Sequence, residues 1–359
     1  MKTLFVFNHP APYKVKVFNE LNKLTKIQVV FERTTAKDRP ESFYASNVYK
    51  FPVLFHKKGY CGKEQTFSGE LKDYIKKHHQ DFDAIVMNGY STIAEMKAIR
   101  YMIKHHIPYI LQINGGVIKK DSAIKRKLKT YFISNACKYF SPCSKADEYL
   151  IHYGAEKENI YHYPYGNYYK KEIIKAPISQ EEKQRIREKW KLPEGKIFLN
   201  ASQFIERKNN IQLIEVFANR EEHLLLVGSG EEKETYEELI KNKNASNIIL
   251  MDYKSKDDLF EIMRGCDYFI TLSREDIFGH TTLEAMANGL PVISSNRVIS
   301  SIDIINNGKN GYLVDITKHA DIIKAIVNAS LLSPEDAIKV AHHNTIEESA
   351  NKLYKLIRG

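Results

Sequence analysis

The chain of 359 residues alternates short apolar runs with longer amphipathic stretches, and this alternation constrains its fold more than any other feature. In the first half, apolar runs lie at residues 3–7, 27–31, 84–87 and 109–113, with stretches of helical periodicity between them. Short runs rich in Val, Ile and Phe are typical of strands that are buried on both faces. Their alternation with helices predicts a parallel sheet covered by helices on both sides.

The same alternation returns after residue 195 and predicts a second domain of the same kind. Its predicted strands lie at residues 197–200, 223–227, 247–250, 268–271 and 291–294. Ligands of doubly wound sheets bind beyond the carboxyl ends of the strands. The fold class is therefore α/β, with two doubly wound Rossmann-like domains that face each other across a cleft.

Proline and glycine residues between about 165 and 196 mark the predicted domain boundary. We predict an N-terminal acceptor-binding domain at 1–170, a linker at 171–195 and a donor-binding domain at 196–335. The last segment, 336–359, is predicted to be a helix that can pack back on the N-terminal domain.

Charge is distributed unevenly between the two halves of the chain. Residues 1–180 contain 30 basic and 16 acidic side chains, whereas residues 181–359 contain 24 and 28. The whole chain has a formal net charge of +10, so the excess lies in the first half. A basic half predicts an anionic partner, which is a nucleic acid, a membrane surface or a phosphorylated substrate.

Several classes of protein are disfavoured. No apolar run approaches the length of a membrane span, and the run near the start is too short for a signal peptide. The four cysteines, Cys61 among them, form no CxxC pair, so a disulfide framework or a zinc site is not expected. We expect a cytoplasmic protein, or one peripheral on the inner face of the cell membrane, with no bound metal.

The most informative stretch runs from Ser273 to Ile293, where a strand, a loop and a helix are predicted in succession. Backbone amides at a helix N-terminus bind phosphate or sugar oxygens, and Gly279 allows close approach of a ligand. Asp276 and Glu284 offer carboxylates to pairs of hydroxyl groups. The alternative is that these two acids only cap the helix and complement its dipole.

This stretch resembles glycosyltransferase family 4, the retaining nucleotide-sugar transferases with the two-domain GT-B fold. The family pattern reads Ser-x-x-Glu-Gly-Phe-Gly-x-x-x-Leu-Glu-Ala-Met-Ala-x-Gly-x-Pro-Val. The matching positions are Ser273, Phe278, Gly279, Leu283, Glu284, Ala285, Met286, Ala287, Gly289, Pro291 and Val292. The resemblance extends from about residue 197 to 315 and includes the segments 225–230 and 307–314.

The resemblance implies roles for the donor-side residues. Glu284 would bind the ribose hydroxyls, Asp276 the hydroxyls of the donor sugar, and the amides of Gly279, His280 and Thr281 the diphosphate or the sugar. The sequence departs from the pattern in having Asp276 and Ile277 where the family has Glu and Gly. Aspartate is one methylene shorter than glutamate, so Glu275 is expected to assist Asp276.

Arg207 and Lys208 follow a predicted strand and form the second candidate site. Two adjacent cations can neutralise a leaving diphosphate, whereas a lone pair of this kind is usually solvated surface. Lys208 matches a family lysine, while Gln203 stands where the family has an arginine. Gly228 in the next glycine-containing loop is expected to contact the donor. This loop lacks the third glycine of a dinucleotide fingerprint, which argues against a dehydrogenase.

The acceptor side is expected in the N-terminal half, at residues that follow predicted strands. These residues are Asn8, His9, Asn88, Asn114 and Gly115. Each of them can equally be an ordinary turn residue. Family members often carry a histidine where Asn114 stands, and an asparagine cannot titrate, so no acid–base role is transferred to it.

The densest charge follows in a stretch that combines six cations with an apolar helical face. The cations are Lys119, Lys120, Lys125, Arg126, Lys127 and Lys129, and the apolar residues are Ile124, Leu128, Tyr131 and Phe132. Such a helix either packs its apolar face on the sheet or lies at a membrane interface. The concentration of cations favours contact with an anionic membrane or acceptor.

Together these features predict a retaining, metal-independent hexosyltransferase. It would transfer a sugar from a nucleotide-diphosphate sugar, expected to be UDP-linked, to a glycan or a polyprenyl-phosphate-linked acceptor. The expected setting is assembly of bacterial capsule, exopolysaccharide, lipopolysaccharide or teichoic acid, with no cofactor beyond the sugar nucleotide. The alternative is a nucleic-acid-binding protein that uses its basic half, but neither a recognition helix nor aromatic-interleaved basic strands are clear in the sequence.

Overall fold

The computed structural model describes residues 1–36, 41–56 and 69–359. Cys61 lies outside the described residues. The chain forms two compact units, one of Met1–Asn167 with Thr345–Gly359 and the other of Tyr168–Asn344. The segment predicted as a linker, 171–195, lies within the second unit.

The described chain contains parallel strands separated by helices. The strands are β1 Lys2–Phe7, β2 Lys26–Phe31, β3 Val53–Phe55, β4 Ala84–Asn88, β5 Ile110–Gln112, β6 Lys138–Ser141, β7 Ile160–His162, β8 Ile197–Ala201, β9 His223–Gly228, β10 Ile248–Asp252, β11 Tyr268–Thr271, β12 Val292–Ser295 and β13 Gly311–Val314. The helices are α1 Pro12–Leu24, α2 Glu70–His78, α3 Ile93–Lys104, α4 Ala123–Ile133, α5 Ser144–His152, α6 Gln180–Trp190, α7 Asn210–Phe217, α8 Lys233–Asn242, α9 Lys256–Gly265, α10 His280–Ala287, α11 Ser301–Ile304, α12 His319–Val327, α13 Pro334–His342 and α14 Ile346–Arg358.

The first unit is built on a parallel sheet with the strand order β3-β2-β1-β4-β5-β6-β7. The central strand β1 buries Leu4, Phe5, Val6 and Phe7 almost completely. A strand that is apolar on both faces needs helices on both sides, which explains why these runs do not alternate with polar residues. The chain reverses its direction of winding between β1 and β4, and this reversal is where ligands of such sheets bind.

The second unit repeats this topology, with the strand order β10-β9-β8-β11-β12-β13. Every residue of β8 is buried. The hydrophobic core of the second unit includes Phe198, Phe204, Leu213 and Phe217. Here the winding reverses between β8 and β11. The carboxyl ends of β8, β9 and β10 therefore converge at one edge with the segment that follows β11. Both units thus have the predicted Rossmann-like architecture.

The C-terminal segment divides between the two units. Helix α13 packs against α10 in the second unit, whereas α14 packs against α1 in the first. The Oγ1 atom of Thr345 caps α14 by accepting a hydrogen bond from the amide of Glu348 at 3.2 Å. The hydroxyl of Ser349 donates to the carbonyl of Pro164 at 2.7 Å, which fixes α14 to the first unit.

Among the described residues, no helix is both long enough and apolar enough to span a bilayer.

Candidate functional site

The second unit contains a cavity of about 260 Å³ at the carboxyl ends of β8, β9 and β10. Three of the predicted donor-site residues line it, namely Gly228, Thr281 and Glu284. The other lining residues are Ala201, Ser202, Gln203, Val227, Ser229, Tyr253, Lys254, Lys256 and Leu259. The cavity therefore lies where the topology of the sheet predicts a ligand.

Helix α10 carries Thr281 and Glu284 to the wall of this cavity. The residue before the helix is Gly279, whose φ of 77° lies in the left-handed region. A Cβ atom at this position would lie only 2.6 Å from Cγ1 of Val298. Glycine is thus required both by the backbone conformation and by the space, and it allows the chain to turn sharply into α10. Glu284 follows in the second turn, buried except for 8% of its surface.

Gly228 is required by the close packing of two loops. A Cβ atom on Gly228 would lie 1.9 Å from the carbonyl oxygen of Ser202. The same loops are joined by a hydrogen bond of 3.1 Å from the amide of Ser202 to the carbonyl of Val227. A second bond of 2.8 Å runs from the amide of Phe204 to the carbonyl of Ser229. The backbone at this end of the cavity is therefore held by main-chain contacts on both sides of Gly228.

Asp276, on the loop that leads into α10, forms an ion pair with Lys208, on the loop after β8. Both side chains are mostly buried, with 16% and 14% of their surface exposed. Burial raises the pKa of Asp276, but Lys208, Arg207 and the amide of Phe278 together hold this pKa below its ordinary value. Asp276 is therefore ionised at neutral pH and acts only as a hydrogen-bond acceptor.

Arg207 contacts the backbone of the same loop. Its Nη1 atom donates to the carbonyl of Glu275 at 2.8 Å, and its own carbonyl accepts from the amide of Arg274 at 2.9 Å. Arg207 thus positions the loop that carries Glu275 and Asp276, in addition to placing a charge beside it. The ring of His280, the first residue of α10, packs against Phe278 with 4.9 Å between ring centroids.

Several residues of the cavity were not among those predicted. Ser202 and Gln203 follow β8, Ser229 follows β9, and Tyr253 and Lys254 follow β10. The signal that identifies them is their position immediately after a strand rather than a residue pattern. Lys256, which also lines the cavity, forms an ion pair of 2.7 Å with Glu172.

The predicted acceptor-side residues meet at one edge of the first sheet. Asn8 and His9 follow β1, Asn88 ends β4, and Asn114 and Gly115 follow β5, and these three strands are neighbours. The Oδ1 atom of Asn8 accepts from the amide of His9 at 2.8 Å. The Nδ1 atom of His9 lies 3.1 Å from the hydroxyl of Tyr44.

Helix α4 exposes most of its apolar face. Ile124 is 84% exposed, and Leu128 and Tyr131 are also exposed, whereas Phe132 is buried. The predicted packing of this face on the sheet therefore applies to only one part of the helix. Only the C-terminal end of α4 packs, and the first two turns present apolar side chains to the surroundings.

The six cations around α4 do not share one environment. Lys119, Lys120, Lys125, Arg126 and Lys127 are exposed. Lys129 is turned inward, because its Nζ atom contacts Asp121 at 2.7 Å and donates to the hydroxyl of Tyr153 at 3.0 Å. Lys125 lies 3.5 Å from the same carboxylate. The hydrogen bonds from Lys129 and Tyr153 lower the pKa of Asp121 to about 2. Lys129 therefore joins α4 to Asp121 and Tyr153 and does not contribute to the exposed basic surface of the helix.

Residues 1–36, 41–56 and 69–359 contain no group of three or more His, Cys, Asp or Glu side chains that could hold a metal ion.

Residues 182–346 match the profile of a protein family described as glycosyl transferases group 1. A segment of 167 residues is 30% identical to N-acetyl-alpha-D-glucosaminyl L-malate synthase of Bacillus anthracis, covering 45% of this chain and 42% of that protein. The alignment thus spans less than half the length of this relative.

Solved structures share the fold of the whole chain. The Anabaena protein Alr3699/HepE in complex with UDP superposes with a TM-score of 0.78 and 15% identity, covering 99% of this chain and all of that one. The lipopolysaccharide outer core galactosyltransferase WaaB superposes with a TM-score of 0.72 and 14% identity, covering 100% and 99%. At this identity the likeness establishes the GT-B fold, as predicted. The second half of the chain is therefore similar to the glycosyl transferases group 1 family, and the chain as a whole has the GT-B fold.

Proposed function

We propose that this protein is a retaining glycosyltransferase of family 4 that takes a hexose from a UDP-linked donor. The observation that carries the proposal is the cavity in the second unit, where the buried carboxylate of Glu284 and the first turn of α10 form one wall. UDP in the complex of the Anabaena protein supports the choice of nucleotide.

In the proposed complex, each donor group has a matching protein group. The carboxylate of Glu284 accepts hydrogen bonds from the two ribose hydroxyls. Backbone amides at the start of α10, those of His280 and Thr281, bind the diphosphate, because the N-terminus of a helix carries a partial positive charge. Asp276, held ionised, accepts a hydrogen bond from a hydroxyl of the donor sugar.

The chain supplies cations for the leaving diphosphate. Lys208 forms an ion pair with Asp276, and Lys254 and Lys256 line the cavity itself. As the bond between sugar and diphosphate breaks, negative charge grows on the phosphate oxygens, and fixed cations stabilise that charge. We propose that this arrangement takes the place of a metal ion and that the nucleotide sugar is the sole co-substrate.

The first unit is the proposed acceptor domain. Its excess of basic residues and the exposed apolar face of α4 suit a glycan or polyprenyl-phosphate-linked acceptor at an anionic membrane surface. The GT-B relative that acts in lipopolysaccharide outer core synthesis supports a role in cell-envelope glycans. We accordingly propose a peripheral location on the cytoplasmic face of the membrane.

A thermal-shift panel of UDP-, GDP-, CMP- and ADP-linked compounds tests the donor site. A ligand at one hundred times its dissociation constant stabilises a protein by about 2.7 kcal/mol, which corresponds to a rise in Tm of roughly 5 °C or more. We expect this rise with the UDP compounds and its loss in Glu284→Ala. The control is Glu237→Ala, which removes an exposed carboxylate on α8.

Two results would overturn the donor assignment. One is the absence of a shift with every nucleotide in the panel. The other is an equal shift in wild type and Glu284→Ala.

A further inference from the structure

The first unit buries a lysine without a carboxylate partner in the part of the chain that the structure describes. Lys14, on the first turn of α1, has only 5% of its surface exposed. Its Nζ atom donates to Oδ1 of Asn114 at 2.8 Å. The ring centroids of Tyr165, Phe7 and Tyr13 lie 4.2, 4.9 and 5.8 Å from the same atom. Lys14 thus points into an aromatic cage closed by one amide oxygen.

Two effects on the ammonium oppose each other here: the aromatic rings attract it, whereas burial disfavours its charge, so a bound oxyanion would supply the missing counter-charge. The faces of aromatic rings attract a cation, and three rings surround this one. An ammonium carries three N–H donors, and Asn114 accepts from one of them. Burial lowers the pKa of Lys14 well below its usual range. A methionine would fill the same space without that desolvation cost, so packing alone does not account for a lysine here.

The position of Lys14 in the sheet indicates which kind of ligand its charge can bind. Asn114 and Gly115 follow β5, and Phe7 ends β1, so the cage lies at the ligand-binding edge of the first sheet. Asn88 ends β4, which lies between those two strands. The Oδ1 atom of Asn88 is buried and has no hydrogen-bond partner among the described residues. This edge therefore offers both a cation for an oxyanion and an acceptor for a hydroxyl group.

We propose that Lys14 binds a phosphate oxygen of the acceptor substrate. The inference rests on the proposed transferase function and deepens it, because it specifies an acceptor that carries a phosphate group. The ammonium meets the phosphate while Asn114 holds it in place, and Asn88 accepts from a hydroxyl of the same molecule. Because the donor also contains phosphate groups, a test must separate the two sources.

The test uses inorganic phosphate as the probe, in thermal-shift titrations at constant ionic strength. It compares wild type with Lys14→Met and Lys14→Gln. Both variants remove the charge, but methionine is apolar whereas glutamine is polar. The control is Lys23→Met, which removes a charge from the exposed face of the same helix. We expect phosphate to stabilise wild type and Lys23→Met, with at least a tenfold loss of apparent affinity in both Lys14 variants. Without ligand, Lys14→Met should be at least as stable as wild type, which shows that it folds.

A parallel titration with UDP identifies the source of the phosphate. We expect UDP affinity to stay within twofold of wild type in both Lys14 variants, and the phosphate response to persist in Glu284→Ala. Equal phosphate responses in wild type and Lys14→Met would overturn the proposal. So would a tenfold loss of UDP affinity in Lys14→Met, since Lys14 would then bind the donor. A protein that responds to phosphate through Lys14 but never to UDP would refute the proposed donor site and leave the oxyanion site standing.

Discussion

The Nζ atom of Lys208 donates a hydrogen bond to Oδ2 of Asp276, which joins two residues 68 positions apart in the chain. The pair connects the loop after β8 to the loop after β11, on either side of the point where the sheet reverses its winding. The same two loops are joined by Arg207 and the carbonyl of Glu275. The acid expected to contact the sugar and the cation expected to contact the diphosphate are therefore one connected unit before a donor binds.

Removing the charge of Asp276 should destabilise the second unit. Asp276→Asn leaves Lys208 mostly buried and without its counter-charge, and we expect a loss of about 1–3 kcal/mol in the free energy of unfolding. Lys208→Met should cost a similar amount, whereas the double variant should recover part of the loss. Urea unfolding of all four proteins gives the coupling energy, expected on the order of 1–2 kcal/mol. Strict additivity of the two single variants would contradict the pairing.

The same pair has a defined pH dependence. Because the folded state holds the pKa of Asp276 below its ordinary value, the pair contributes its full stability above the pKa of the unfolded chain, about 3.9. That contribution is lost as pH falls through the lower pKa of the folded state. The stability difference between wild type and Asp276→Asn should therefore be constant near neutral pH and shrink below about pH 4.

Gly228→Ala should disrupt the end of the cavity. The new methyl group would overlap the carbonyl of Ser202, a backbone atom that cannot move aside cheaply. We expect destabilisation of roughly 1–3 kcal/mol and weaker binding of UDP, measured by urea unfolding and calorimetry. The control is Gly69→Ala, where the nearest atom to an added Cβ lies 3.8 Å away. Equal stability of Gly228→Ala and wild type would show that the two loops have room for a methyl group and are not in close contact.

A buried carboxyl in the first unit should make stability fall as pH rises. Burial raises the pKa of Glu95 to about 7, although hydrogen bonds donated by Thr92 and Ser91 oppose the shift. The Oγ1 atom of Thr92 also donates to the buried carboxyl of Glu32 at 2.7 Å. Because the folded state binds the proton of Glu95 more tightly than the unfolded chain does, its contribution is present below about pH 4.3 and is lost as pH rises through 7.

Glu95→Gln tests this dependence, since a glutamine retains the acceptor for Thr92 and Ser91. Relative to wild type, the variant should gain on the order of 2–3 kcal/mol of stability between pH 5 and pH 8. Glu158→Gln, an exposed position, serves as the control. Parallel stability profiles of Glu95→Gln and wild type across this range would exclude the shifted carboxyl.

The apolar face of α4 should contribute to membrane binding. We expect the double variant Ile124→Ser with Leu128→Ser to bind anionic phospholipid vesicles at least tenfold more weakly than wild type, since each buried side chain contributes about 1.5–3 kcal/mol. Sedimentation with vesicles at two salt concentrations measures this. The matched control is Val327→Ser with Leu331→Ser, which changes two exposed apolar residues of the second unit. Equal weakening by both double variants would remove α4 as the contact surface.

The central strands were predictable from the sequence, whereas several others were not. Strands such as β1 and β8 are mostly apolar because both of their faces are buried, and this pattern is visible in the sequence. The strands β3 and β7 are only three residues long and are exposed or half-exposed at every position, so they give too short a pattern in the sequence. Strand pairing, not composition, places them at the edges of the sheet.

The candidate site was predictable where a continuous motif carries it. Glu284 and Thr281 lie on one helix, so the spacing of the motif brings both to the cavity. Tyr253 and Lys254 reach the same cavity from a separate strand, and only the order of the strands reveals that. The cage around Lys14 escaped prediction for the same reason, because Asn114 and Tyr165 lie 100 and 151 positions further along the chain.

A crystal structure of the protein with UDP tests the central claim most directly. We expect the ribose hydroxyls within hydrogen-bonding distance of the carboxylate of Glu284, and the diphosphate at the amides of His280 and Thr281. Glu284→Gln soaked under the same conditions should show lower occupancy of the nucleotide. UDP bound away from Glu284, or bound equally in the variant, would contradict the assignment of this cavity as the donor site.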